Sequence, residues 1–592
     1  MPPNRKIYFV LILLLVLSAL ARGWIAGAIE LGNDEVYYWT YAKFPAFSHF
    51  DHPPMVGLAI QLFTLDLRFD GEFFMRLAAV IFGTLSTGLM FLIGKQIKNP
   101  LTGLYAAFLY TGSFYGFILS GTFILPDGPQ IFFWLLTLWF LVKSLPDPDL
   151  TAKSRNFLFY AGISAGMAML SKYHAVFLIV GAFFYILLYN RKWFFAWEAW
   201  GAFVLALLCF MPVVFWNAEN GFISFTFHES RVGITGSGIQ PQYFLTEMAG
   251  QFFYNNPVNV VIVVTALVAM VMKRHFLERG YLRLILWVSL PLLFLFLGFS
   301  LFRSTLPHWT GPAHVGLIFI GAAYLSDPHR NGRKLRLVPW PVVLSLLLSA
   351  GVVVTGVGQI LCGWVSVKRY QVDDVSLDMV GWEQLGEKFR TLAKWDEDHF
   401  LIDKDAPLIT FRWFPAANFD YYLARTDNRA VYALGALDRI HKYYWINRQR
   451  GNLKKGSDAW YVVLSDDYED PVANCGALFE RILPPDTLYV LRSGDTVRKA
   501  FVFRLIDLKE DLVFSANPGV KPEKPRQIDT LEYFIRQIRQ DWQYLQILEK
   551  RSRRDTLPLE TLIRKEAEKM VLKSREQLVL PDTVKKDNPI PE

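Results

Sequence analysis

Long apolar runs separated by short charged breaks organise the first 362 residues. Residues 7–29 read IYFVLILLLVLSALARGWIAGAI, which meets the roughly 20 apolar residues needed to cross about 30 Å of hydrocarbon. Ten further runs follow, at about 73–93, 101–120, 129–145, 157–171, 174–189, 199–217, 257–272, 284–302, 311–326 and 340–362, so the pattern predicts eleven spans. After residue 362 the period changes. Short strand-like runs (APLITFRWF, AWYVVLS, TLYVLR, AFVFRLI) alternate with helical ones, and from about residue 521 the chain is charged and helix-favouring. The predicted architecture is an all-α polytopic membrane domain over 1–362, a small α/β domain over 363–510, and a charged helical extension with a frayed tail over 511–592.

Charge assigns sides to these elements. Alternate connections carry Arg5 and Lys6; Lys95 and Lys98; Lys143, Lys153 and Arg155; Arg191 and Lys192; Lys273, Arg274, Arg279 and Arg283; and Arg330, Arg333, Lys334 and Arg336, whereas the others hold only Lys43, Arg68, Lys172, Arg231 and Arg303. Cationic loops face the cytoplasm. The N-terminus is therefore expected inside, and an odd number of spans puts the domain after residue 362 outside the cell (inner) membrane. The net charge of +8 reads as this bias and implies no nucleic-acid partner. With 53% hydrophobic and 16% aromatic residues, an ordinary soluble multidomain protein is excluded. Cys209, Cys362 and Cys475 have no zinc spacing, and only a Cys362–Cys475 disulfide is open to them.

The candidate chemistry falls on the external side. The loop GNDEVYYWTYAKFPAFSHFDHPP over 32–54 predicts a helix capped by Asn33 and ended before Pro45. Asp34, Tyr37, Tyr38 and Tyr41 share one face of it, a wall suited to a sugar, with Glu35 beside them. An interfacial helix with its Tyr and Trp39 at headgroup depth is the competing reading. Asp51 and His52 precede two prolines; Asp51 could be a helix cap, or the pair could hold a divalent cation. Asp127, after Pro126, is placed as a cap. Lys172 interrupts an apolar stretch, where a cation needs a carboxylate or a lipid phosphate. Arg303 and His308, flanking a short connection, are placed to neutralise a phosphate, as are Arg22 and Arg76 near span ends.

With DEVYYW, FDHPP, PDGP, SKYH and RSTLPHW in this order, the chain resembles the GT-C glycosyltransferases of the protein O-mannosyltransferase and lipid A aminoarabinose transferase group, over roughly residues 7–450. The resemblance implies transfer of a sugar from a polyprenyl-phosphate donor to a lipid, glycan or protein acceptor on the outer face. It maps the first-loop acid onto Asp34, further family acids onto Asp51 and Asp127, and a donor-phosphate lysine onto Lys172. His52 stands where lipid A transferases carry a lysine. No other cofactor is implied. If the acceptor is a hydroxyl, Asp34 is the candidate base, although the N-terminal helix dipole should lower its basicity; a phosphate acceptor needs no base. The alternative function is a transporter or flippase of lipid-linked sugars, which calls for polar residues in broken helices at the bilayer midplane.

Overall fold

A computed structural model describes residues 4–233, 238–328, 335–365, 374–514, 542–555 and 557–576, with a few isolated positions from 531 to 539. Arg330, Arg333 and Lys334 of the expected inner set, and the expected C-terminal tail, lie outside them. The chain divides into two compact units, 1–380 and 381–592.

The first unit is helical. Its helices are α1 (Asn4–Ala28), α2 (Asn33–Lys43), α3 (Met55–Thr64), α4 (Glu72–Ile97), α5 (Pro100–Thr111), α6 (Asp127–Ser144), α7 (Ala152–Met169), α8 (Val176–Tyr189), α9 (Trp197–Glu219), α10 (Ile223–Val232), α11 (Pro241–Tyr254), α12 (Pro257–Val271), α13 (Arg279–Ser300), α14 (Gly311–Leu325) and α15 (Trp340–Cys362). In α1 the buried side chains Ile7, Leu11, Leu14, Ser18, Arg22 and Ile25 form one stripe, whereas Phe9, Ile12, Val16 and Leu20 are exposed. Apolar residues inside and out are what a lipid-facing helix requires.

Every expected span coincides with helix, but among the described residues five helices (α1, α4, α9, α13 and α15) are long and apolar enough to cross a membrane unaided. This is a multi-pass membrane protein; helix length alone does not give a count of eleven. α5 shows why. It ends at Gly112 and passes into a five-residue π-helical turn at Tyr115–Leu119. Likewise α11 and α12 meet at 101°, where Asn256 adopts φ +68° and caps Val258 ahead of Pro257. Its amide also donates to the Gly112 and Ser345 carbonyls (2.6 and 2.9 Å), which ties the break into the bundle.

The second unit holds a six-stranded mixed sheet ordered β2 (Val431–Ala433), β1 (Leu408–Thr410), β3 (Ala459–Leu464), β6 (Asp495–Leu508) and β4 (Phe479–Ile482), with β5 (Asp486–Arg492) also on β6. β1 pairs parallel to β2 and β3, and β6 antiparallel to β3, β4 and β5. The four strand-like runs of the sequence become β1, β3, β5 and β6. Helix α16 (Trp382–Asp398) buries Trp382, Leu385, Phe389 and Ala393. Within the extension, Trp542–Asp555 and Leu559–Glu576 are helical. Among the described residues no disulfide forms, so Cys362 and Cys475 are not joined.

Candidate active site

Helix α2 puts two neighbouring acids to opposite uses. Glu35 is buried and accepts from Arg76 Nε (2.7 Å) and Nη2 (2.5 Å), from the Gly32 amide (3.0 Å) and from the Ile124 amide (2.9 Å). Arg76 further donates to the Ala26, Ile29 and Glu30 carbonyls. This pair closes the junction of α1, α2 and α4. It takes Glu35 out of the expected acceptor loop and Arg76 out of the expected phosphate ligands. The helix cap is Gly32 instead of Asn33, because Glu35 satisfies the Gly32 N–H; the Asn33 side chain is free to hydrogen-bond Asp378.

Asp34 is solvent-accessible yet surrounded by protein. Its pKa is raised from 3.8 to about 6, first by burial, then by Asp51, Asp378 and Glu35, against the opposing charge of Lys172. The dipole argument is thereby overturned: local desolvation and three carboxylates outweigh the helix terminus, since dipole effects are modest and fall off quickly. Asp34 is suited to taking a proton near neutrality.

The expected sugar-binding wall is corrected too. Tyr37, Tyr38 and Tyr41 do share a face, with ring centroids 5.4 to 5.8 Å apart, but they are buried. Tyr37 and Tyr41 donate to Asp51 Oδ1 at 3.0 and 2.5 Å. Asp51 is no helix cap, since α3 begins only at Met55. His228 Nε2 donates to the Asp51 carbonyl (2.7 Å), and burial lowers the His228 pKa. His52 lies against Tyr38 and His228; its pKa falls to about 3, mainly by burial and also through Lys172 and His228. It is neutral, and its Nδ1 is buried with no hydrogen-bond partner among the described residues. Among the described residues no group of three or more His, Cys, Asp or Glu is arranged to hold a metal ion.

Facing this loop, Lys172 Nζ donates to Asp127 Oδ2 (2.7 Å), both residues being buried. Tyr115, on the π-helical turn, donates to Asp127 Oδ1 (3.0 Å). Asp127 is thus an ion-pair partner and not a cap; Pro126 holds the cap position. The predicted need of Lys172 for a carboxylate is met within the chain. One ammonium proton is used there, and two remain for an incoming anion. His308 lies on a 3₁₀ turn, Pro307–Thr310, and interacts electrostatically with Lys172 and Asp127; burial, then Lys172, lowers its pKa to about 4. It is a neutral hydrogen-bonding group, not the expected cation. Arg303 donates to the Ser230 carbonyl at the end of α10, and so sits with α10 and not on the ion pair.

Three contributors were missed by the sequence reading. His174 Nε2 is buried beside the Lys172–Asp127 pair without a hydrogen-bond partner among the described residues; it was in view within SKYH but carries no signal of its own. Arg231 packs over the Phe227 and Trp309 rings, 5.2 and 5.9 Å from their centroids. Asp378, more than 300 residues from Asp34 in sequence, could be brought there only by the fold.

Residues 51–216 match the family of dolichyl-phosphate-mannose-protein mannosyltransferases; Asp51, His52, Asp127 and Lys172 fall inside the match. Over 309 residues the chain is 21% identical to the lipid A galacturonosyltransferase RgtD of Rhizobium johnstonii, covering 51% of this chain and 62% of that protein. Two structures of ArnT from Cupriavidus metallidurans align with 83% of this chain and 97% of their own. The one bound to undecaprenyl phosphate has a TM-score of 0.55 at 16% identity, and the apo form 0.54 at 15%. The chain shares the fold of these two structures.

Proposed function

We propose that the protein is an integral membrane glycosyltransferase that moves a sugar from a polyprenyl-phosphate donor to a hydroxyl acceptor on a lipid, glycan or protein. The observation that carries this reading is one accessible carboxylate with a pKa near 6, Asp34, set near a buried lysine with two spare protons. The acceptor oxygen attacks the anomeric carbon with inversion as the bond to the donor phosphate breaks. Its proton passes to Asp34, and the polyprenyl phosphate leaves against Lys172 with His308 and His174 as neutral donors. A phosphate acceptor would need no base, which leaves the raised pKa of Asp34 without a use. The undecaprenyl phosphate bound to ArnT and the lipid A named for RgtD support the donor and acceptor classes.

The positive charge bias supports eleven spans, a cytoplasmic N-terminus and an extracytoplasmic second unit in the inner membrane; cysteine labelling of loops 98–100 and 303–306 from the two sides tests that topology. The 101° break between α11 and α12 is the feature a transporter would use. Asn255 and Asn256 at that break, however, are bonded to backbone carbonyls. Purified membranes supplied with radiolabelled polyprenyl-phosphate sugar separate the classes: covalent label on an endogenous acceptor is expected, and label that crosses vesicles without transfer overturns the enzyme reading. EDTA in the same assay decides whether a divalent cation takes part.

A further inference from the structure

The segment after α15 returns to the active-site helix. Asp374 caps a short 3₁₀ turn, Val375–Met379, accepting from the Ser376 amide (3.1 Å) and hydroxyl (2.5 Å). The Gln359 side chain of α15 reaches the same carboxylate at 3.5 Å, so the turn is tied to the helix before it. From this turn Met379 packs with Ile25 and Ile29 at the C-terminal end of α1, and its Cε lies 2.9 Å from where a Cβ on Gly32 would be. Asp378 Oδ1 accepts from the Asn33 side-chain Nδ2. The residue it holds is therefore the one before Asp34, in the first turn of α2.

We propose that Asp378 is a positioning residue for transfer: the 374–380 strap fixes the first turn of α2 through Asn33 and sets a third carboxylate beside Asp34 and Asp51. This inference rests on the reading of Asp34 as the base. The groups that face Asp34 are Asp51 from the loop before α3, Glu35 and Tyr38 from α2, Lys172 from the α7–α8 connection, and Asp378 from the strap. Of the acids, Glu35 is offset by Arg76 and Asp51 is held by two phenols. Asp378 is the one supplied by a segment distant in sequence, and its negative charge keeps the proton on Asp34 to higher pH. A strap that only covered the helix end would need no acid at its tip; an amide or hydroxyl would serve Asn33 as well.

The test is the pH dependence of kcat/KM for sugar transfer by the full-length protein in detergent or nanodiscs, comparing the wild type, Asp378→Asn and Asp378→Glu. Asparagine keeps an acceptor for Asn33 but removes the charge. Its acidic limb is expected to move to lower pH by about half a unit or more, and glutamate is expected to return the limb toward the wild-type position. A limb that stays in place in Asp378→Asn while the rate falls equally at every pH overturns the proposal and leaves the enzyme reading intact. A wild type that transfers nothing from any polyprenyl-phosphate sugar overturns that reading and this inference together. Proximity is checked without activity: Asn33→Cys with Asp378→Cys should be joined in membranes by a short bifunctional thiol reagent, and failure to crosslink two labelled thiols removes the strap itself.

Discussion

The membrane unit holds two buried ion pairs, Glu35–Arg76 and Asp127–Lys172, and they differ in what is left over. In Glu35–Arg76 the carboxylate accepts four hydrogen bonds and the guanidinium also donates to three carbonyls. In Asp127–Lys172 the ammonium has one acceptor and the carboxylate a second donor in Tyr115. Around it His174 Nε2 and His52 Nδ1 are buried without hydrogen-bond partners among the described residues. A pair with all its groups satisfied holds structure together, because breaking it leaves an isolated buried charge. A pair with spare donors is prepared for a ligand. The same contrast separates adjacent residues of α2: Glu35 faces the closed pair, and Asp34 faces the open one.

The largest effect that would sharpen this contrast is Asp34→Asn, expected to reduce transfer about a thousand-fold while leaving the amount of protein in the membrane unchanged; near-normal product breaks the assignment. Next comes Glu35→Gln, expected to destabilise the folded protein by about 3 kcal/mol. Thermal unfolding in detergent should reveal it, and the acidic limb of the surviving enzyme should move to lower pH, because Glu35 is one of the carboxylates that hold the proton on Asp34. If Glu35→Gln cost no stability, the division between the pairs would fail. Lys172→Met is expected to raise the donor KM about 10-fold or more, in keeping with roughly 1.5–3 kcal/mol for a charged hydrogen bond. Combining it with Asp127→Asn, which removes the stranded charge, should recover stability but not donor affinity. The smallest change expected is from Tyr41→Phe, a few-fold loss from one hydrogen bond to Asp51.

The pH dependence carries a sign in both rate and stability. Transfer should fall as pH drops through about 6, where Asp34 takes up its proton. For stability the direction is reversed. Between 3.8 and about 6 the folded protein holds a proton that the unfolded chain has released, so the contribution of Asp34 to stability declines as pH rises through that window.

The helices of the membrane unit were legible because hydrophobic runs are a local signal. The helix over 33–43, its end before Pro45 and the shared face of Tyr37, Tyr38 and Tyr41 were readable for the same reason. What those phenols do was not, because Asp51 reaches them through a loop whose path no periodicity encodes. Nor was the fate of Glu35: its partner Arg76 lies on another helix, and both residues read equally well as surface chemistry. Lys172 was recognised as a cation in need of a partner, but that Asp127 supplies it depends on how α6 meets the α7–α8 connection. The strands β2 and β4 are three and four residues long, too short for alternation to mark. The pKa of Asp34 was misjudged because a helix dipole is visible in sequence, whereas burial and the approach of Asp51 and Asp378 are set by the fold.

The central claim is that Asp34 removes a proton from a hydroxyl acceptor while Lys172 receives the departing phosphate. Its most direct test is transfer from radiolabelled polyprenyl-phosphate sugar by the purified protein across pH 4.5 to 8, for the wild type and Asp34→Asn side by side. The account predicts a wild-type rate that falls below a pKa near 6 and a residual Asp34→Asn rate without that limb. A variant as active as the wild type, or one that keeps the same acidic limb, would contradict it.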